Sequence, residues 1–294
     1  MKNNMEEVVI ISGPTAAGKT AMAVEIAQKI GAEIISCDSV QVYRGMDIGS
    51  AKASPAERAG IPHHLIDVAD PSHRFSVGEY VELAKAALEG ILSRGRRAVV
   101  AGGSGFYLKS WFSAVTDEIE IPDSVRLECD AIERSGGPEA LLKRLLAHDP
   151  GAGAHLDIKN PRRIRPALER TLASGLSLAE LSERFSALPC PMGEFPKKFI
   201  MADLPDEILL PRAKARAENM VASGLVDEVR SLMKAGIEEN PSAALAVGYR
   251  ETISAIKSGD FSHLADDIFA STSKLIKKQR KFFKNALFKG VRQT

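Results

Sequence analysis

Residues Gly13-Pro14-Thr15-Ala16-Ala17-Gly18-Lys19-Thr20 satisfy G-x-x-x-x-G-K-[ST] at every fixed position. The flanks constrain the chain further. Val8-Val9-Ile10-Ile11 is a short apolar run that reads as a buried strand, and Ala21–Ala27 reads as the helix after the loop. A strand, a glycine loop and a helix start make an anion cradle, because backbone N–H groups and the positive helix end converge on phosphate oxygens. Lys19 adds a charge that reaches terminal phosphates, and the Thr20 hydroxyl is suited to Mg²⁺. A chance glycine-rich turn would lack these flanks. Gly13, Pro14, Thr15, Ala16, Ala17, Gly18, Lys19 and Thr20 are therefore expected to hold a diphosphate, a triphosphate or a pyrophosphate.

The next 90 residues alternate strand-like and helix-like segments. Ala32–Cys37 reads as a second strand, Leu65–Val68 as a short third and Ala98–Ala101 as a fourth. Ser76 is placed to cap a helix through about Arg94, with Val77, Tyr80, Val81, Ala84, Ala87, Leu88 and Ile91 at helical spacing. Such alternation predicts an α/β fold: a parallel sheet with helices on both faces and its ligand at the carboxyl ends of the strands. From about Ile119 helix-like segments dominate, near 122–135, 138–147, 161–174 and 177–186, until Lys197–Ala202 returns as a strand. An all-helical block between two α/β pieces reads as an insertion, 119–195, into a phosphate-loop core made of 1–118 and 196–294. The remainder is helical, with amphipathic stretches near 206–222, 225–235, 245–257 and 262–287.

At 294 residues the chain can bury a sizeable core, and 45% hydrophobic with 26% charged residues is ordinary for a globular protein. The net charge of +1 neither announces nor excludes a nucleic acid. The distribution is more telling, since Lys274–Lys284 carries six basic residues and no acid, and Arg162-Arg163-Ile164-Arg165 is a second basic cluster. Either also suits a solvated helix face. Cys37, Cys129 and Cys190 are scattered, which argues against a zinc site and for reduced thiols. Met1–Glu7 has no apolar signal region, and no stretch approaches the ~20 apolar residues of a membrane span. A soluble, cytoplasmic protein is expected.

Two further strand ends complete the expected pocket. Asp38 follows the second strand, where a carboxylate can act as a base or contact Mg²⁺, or can simply shape a turn. Gly102-Gly103-Ser104-Gly105-Phe106-Tyr107 follows the fourth and offers N–H groups, a hydroxyl and a helix start at the same edge.

Several of these segments occur together in one known family. The phosphate loop, Asp38-Ser39 with Tyr43–Lys52, Pro62–Asp67 and Gly102–Tyr107 resemble tRNA dimethylallyltransferases in order and spacing. The resemblance continues through Pro161–Ile164, Val247–Glu251 and Lys277-Lys278-Gln279 with Phe282-Phe283, so it covers nearly the whole chain. It implies transfer of the dimethylallyl group of dimethylallyl diphosphate to the exocyclic amine of the adenosine 3′ of a tRNA anticodon. Lys19, Thr20, Mg²⁺ and Arg216 would then stabilise the leaving diphosphate, and Asp38 would take the amine proton. Arg216 shares a helix face with Arg212.

For tRNA the resemblance implies contacts at Asp38, Ser39, Val40, Gln41, Ser104, Arg126, Arg162, Arg163, Ile164 and Arg165. It adds Leu245, Ala246, Val247, Gly248, Tyr249 and Arg250. Two features depart from the family. Pro166 stands where a further arginine is usual, with a proline expected in the first turn of its helix, and Thr272-Ser273 replaces a Thr-Arg pair. A monomer acting on tRNA is expected, with free-nucleotide isopentenyltransferases, phosphate-loop kinases and a non-enzymatic RNA-binding switch as the competing readings.

Overall fold

The computed structural model describes residues 7–117 and 119–284. The expectations for Met1–Glu6 and for the helix beyond Lys284 lie outside them. The chain forms two compact units, the first from Met1–Phe112 with Pro191–Thr294 and the second from Ser113–Cys190.

The first unit holds β1 (Val8–Ser12), α1 (Lys19–Ile30), β2 (Ala32–Ser36), α2 (Pro55–Arg58), β3 (His63–His64), α3 (Val77–Ser93), β4 (Arg97–Gly102) and α4 (Gly105–Lys109). The second unit is helical, with α5 (Asp123–His148), α6 (Ala152–His155), α7 (Pro161–Ser174) and α8 (Leu178–Ala187). The chain then returns to the first unit through β5 (Lys197–Met201), α9 (Asp206–Ala222), α10 (Leu225–Lys234), α11 (Pro241–Ala244), α12 (Tyr249–Ser258) and α13 (Leu264–Phe283).

The five strands form one parallel sheet in the order β3-β2-β4-β1-β5. Alternation along each strand splits its side chains between two faces. Ile11, Ile34 and Val99 pack with Ala23, Val24 and Ala27 of α1, Leu209 and Ala213 of α9, and Ile276 of α13. Ile10, Ile35 and Val100 alternate to the other face, and α3 packs on β2 and β4. The helix α3 begins as its sequence dictates: Ser76 Oγ accepts from the Glu79 N–H, and the Glu79 carboxylate accepts from the Ser76 N–H.

The third strand differs from expectation. It is His63–His64, paired with Ile34-Ile35, and not Leu65–Val68. Leu65 and Asp67 have φ of 61° and 57°, which bends the chain out of the sheet. Asp67 instead receives the Lys52 ammonium at 2.6 Å.

The second unit has its own core of Cys129, Leu141, Leu145, Ile164, Ala167 and Leu168. Gly136 and Gly137 break α5 into two helical runs, at the position their sequence announces. No helix among the described residues is long and apolar enough to cross a membrane.

Candidate active site

Three strand ends meet around a cavity of about 120 Å³ in the first unit. Its polar lining comes from Thr15, Lys19, Asp38, Gly103, Arg216 and Gln279, and its apolar lining from Val40, Ala213, Ala217, Met220, Val247, Ile268 and Leu275. Gly49, Ser50 and Thr272 complete the wall.

The polar side starts at the phosphate loop. Parallel pairing carries β5 alongside β1, so Gly13 lies against Ala202, and a Cβ there would sit 1.8 Å from the Ala202 carbonyl. Only glycine fits that approach. Ala16 has φ 66°, an uncommon left-handed conformation for a residue with a side chain. Gly18, at φ 85°, caps α1, and Lys19 and Thr20 form its first turn. The Lys19 Nζ donates to the Pro14 carbonyl at 2.7 Å. Burial pushes this ammonium down to about 8, against the attraction of Asp38 and Asp203 and with the repulsion of Arg216. Thr20 is exposed and is not part of the cavity lining.

Asp38 follows β2 and faces the same cavity. Its Oδ1 accepts from the Val40 N–H at 2.9 Å and the Gln41 N–H at 3.4 Å, so it shapes a turn as well as lining the cavity. The adjoining turn is tied to the end of β4: the Ser39 N–H donates to Ser104 Oγ at 2.8 Å, and the Ser104 hydroxyl donates to Ser39 Oγ at 3.0 Å. Opposite, α9 presents Arg216, whose Nη1 donates to Thr15 Oγ1 at 3.1 Å. Burial lowers its guanidinium, while the charges of Asp38 and Glu57 act the other way. Lys19 and Arg216 thus bring two desolvated cations to one small space beside one carboxylate. That arrangement favours a polyanion over water.

Residues 41–286 match the family model described as IPP transferase. A tRNA dimethylallyltransferase of Opitutus terrae is 46% identical over 280 residues, covering 95% of this chain and 90% of the relative. The chain belongs to the IPP transferase family. The Geobacter metallireducens tRNA dimethylallyltransferase is 40% identical, covering 87% of this chain and 81% of the relative. Among solved structures, the Bacillus halodurans tRNA isopentenylpyrophosphate transferase aligns with TM-score 0.66 at 33% identity, over 96% of this chain and 88% of that one. A eukaryotic dimethylallyltransferase acting on tRNA aligns with TM-score 0.82 at 25% identity, over 96% of this chain and 71% of that one.

For this IPP transferase family member the structure corrects several expected tRNA contacts. Tyr249 is fully buried and donates to Glu228 Oε1 at 2.9 Å, so it is a framework residue. Gly248 is buried beside it, at φ 93°, in the turn that starts α12. The stretch 245–257 is consequently not one helix: Leu245–Gly248 is a turn, with Leu245 exposed and Val247 on the cavity. Ala246 is half-buried there, and Arg250 is exposed, paired with Glu251 and bonded to Ser271 Oγ at 2.9 Å. Gln41 turns its side chain inward, where its Oε1 accepts from the Ser36 hydroxyl at 3.3 Å.

Ile164 is buried in the core of the second unit. Arg165 is held by Asp130, Glu133 and Glu169 at 2.6, 2.7 and 2.8 Å, which raises its guanidinium above its ordinary range. Each of its three nitrogens meets a carboxylate, so its charge is compensated inside the protein. Pro166 lies past the first turn of α7, inside the helix. Arg126, Arg162 and Arg163 are exposed. In the first unit Arg212 is exposed and does not line the cavity beside Arg216. Within the basic stretch 274–284, Arg280 is committed to Asp203 and Asp206.

Two residues went unassigned by sequence reasoning. Gln279 bridges the two glycine segments, its Oε1 accepting from the Thr15 N–H at 2.9 Å and its Nε2 donating to the Gly103 carbonyl at 3.2 Å. It belongs to the Lys277-Lys278-Gln279 segment, which signalled the family without a role for any member. Glu228 had no signal at all.

Proposed function

We propose that this protein transfers the dimethylallyl group of dimethylallyl diphosphate to N6 of the adenosine 3′ of a tRNA anticodon, releasing diphosphate. One observation carries the reading: a single cavity is lined by two cations and a carboxylate together with apolar side chains. An allylic diphosphate needs cations for its diphosphate and apolar contacts for its five-carbon chain, and this lining offers both.

In the reaction, the N6 lone pair forms a bond to the allylic C1 as the C1–O bond breaks, and that electron pair leaves with diphosphate. Lys19, Arg216 and the loop N–H groups hold the growing charge. The N6 proton passes to Asp38 Oδ2, since Oδ1 is committed to Val40 and Gln41. Adenine must leave its stack to reach this depth, as other enzymes acting on bases require. The partial desolvation of Lys19 and Arg216 strengthens their pull on the leaving group.

No group of three or more His, Cys, Asp or Glu side chains among the described residues could hold a metal ion. Mg²⁺ would be carried in by diphosphate oxygens and waters, with Asp38 on the cavity acting through water and the Thr20 hydroxyl of the first turn of α1 as the protein oxygens. Such an ion would supply charge neutralisation of the diphosphate.

The second unit would grip the anticodon stem through phosphates, with exposed Arg126, Arg162 and Arg163 as contacts. Ser39, Val40, Ser104 and Leu245–Val247 would meet the anticodon loop.

Incorporation of label from dimethylallyl diphosphate into unmodified tRNA, run beside AMP acceptance and ATP turnover, tests the reading. Prenylated tRNA is expected. Transfer to AMP alone, or ATP turnover without prenyl transfer, would overturn it.

A further inference from the structure

Glu228 stands in the first turn of α10 and does not line the cavity. Its two oxygens nevertheless take four hydrogen bonds, three from consecutive backbone groups of one loop. Oε2 accepts from the N–H of Asp47 at 3.2 Å and of Ile48 at 2.7 Å; Oε1 accepts from the N–H of Gly49 at 3.1 Å and from the Tyr249 hydroxyl at 2.9 Å. Gly49 then lies on the Tyr249 ring so closely that a Cβ would sit 2.6 Å from Tyr249 Cζ. Gly49 and Ser50 line the cavity; Tyr249 itself is buried behind the lining, but Val247, two residues before it, is part of that lining.

A carboxylate accepting several N–H bonds is among the stronger fixings a loop can have. This one ties the loop that supplies Gly49 and Ser50 to Tyr249, the neighbour of Val247, across about 200 residues of sequence. The far end of the loop is closed separately, by the buried Lys52 ammonium on Asp47, Asp67 and the Tyr43 carbonyl. Loop folding therefore does not depend on Glu228 alone. The geometry points to Glu228 as a positioning residue that sets the separation of the Gly49–Ser50 and Val247 walls, and so the placement of the reacting groups in the cavity. This rests on the transferase reading above.

The test measures two quantities in Glu228→Ala, Glu228→Gln and Tyr249→Phe. One is amide hydrogen exchange at Ile48 and Gly49, which needs no turnover. The other is prenyl transfer, split into kcat and KM, beside binding of inorganic diphosphate. Glu228→Ala is expected to unprotect those amides and to lower kcat/KM roughly 10- to 100-fold, the scale of an ångström-level misplacement. Diphosphate binding should stay within about twofold, because Lys19 and Arg216 are untouched. Glu228→Gln, which keeps an acceptor oxygen, should recover part of the rate, and Tyr249→Phe should lose least.

A Glu228→Ala protein with exposed amides and wild-type kcat/KM would overturn the positioning role, as would unchanged amide protection. Should Glu228→Ala fail to fold, wild-type kinetics in Glu228→Gln with weakened protection would overturn it equally. Failure of the transferase reading is distinguishable, since wild-type protein would then show no prenyl transfer while the exchange pattern persisted.

Discussion

Two arginines of this chain, both carried by helices and both expected to meet a substrate, have opposite electrostatic settings. Arg165, in the helical unit, meets three carboxylates within 2.8 Å. Arg216, in the α/β unit, has a hydroxyl of Thr15 and lies beside Lys19, with burial acting against its charge. The first is a saturated cation whose work is internal. The second is under-compensated and gains most when an anion arrives. Counting counter-charges separates a framework arginine from a ligand-holding one where a basic sequence pattern cannot.

The largest expected effect lies at the carboxylate between the cavity's cations. Asp38→Asn should lower the single-turnover rate on saturating tRNA by roughly 10²–10⁴, the contribution of a positioned base, with tRNA affinity nearly kept. An unchanged rate would remove Asp38 from the base role and leave it with its turn alone.

Lys19→Met sharpens the comparison because it should move stability and function in opposite directions. The folded-state value of about 8 lies below the ordinary 10.5. The charged lysine therefore costs stability below pH 8, and that cost is relieved as pH rises from 8 towards 10.5. The variant should melt higher than wild type at pH 7, yet lose roughly 10²–10³ in transfer rate. In wild type, diphosphate affinity should fall as pH rises through about 8, where the free protein loses this charge. A lower melting temperature in Lys19→Met would show that the ammonium is compensated in a way the geometry does not reveal.

The smallest effects fall on the second unit. Arg163→Ala should weaken all substrate tRNAs alike and lower the salt slope by about one ion. Arg165→Ala should leave that slope unchanged and instead lower Tm by roughly 2–4 °C, as Asp130, Glu133 and Glu169 lose their shared cation. A changed salt slope in Arg165→Ala with an unchanged Tm would break the distinction between saturated and ligand-holding arginines.

The sequence by itself determined the phosphate loop, the parallel α/β core, the helical character of 119–195 and the family, because these rest on local chemistry. A glycine loop between an apolar strand and a helix start, or a Ser76–Glu79 capping box, is legible wherever it occurs. Even the break at Gly136-Gly137 was visible, since those backbone conformations belong to the residues themselves. What only the tertiary structure decided depends on partners far apart in sequence. Leu65–Val68 has a strand-like composition, yet Leu65 and Asp67 take positive φ and Asp67 bonds Lys52, 15 residues away, outside the sheet. Tyr249 and Ile164 sit inside motifs that read as RNA contacts, yet packing buries both. Gln279 reaches Thr15 across 264 positions, and Glu228 reaches Asp47 across 181. A side chain's charge or hydrogen-bonding capacity is written in its identity, but whether it is spent inside the protein or kept for a ligand is settled only when the fold brings its partners within about 3 Å.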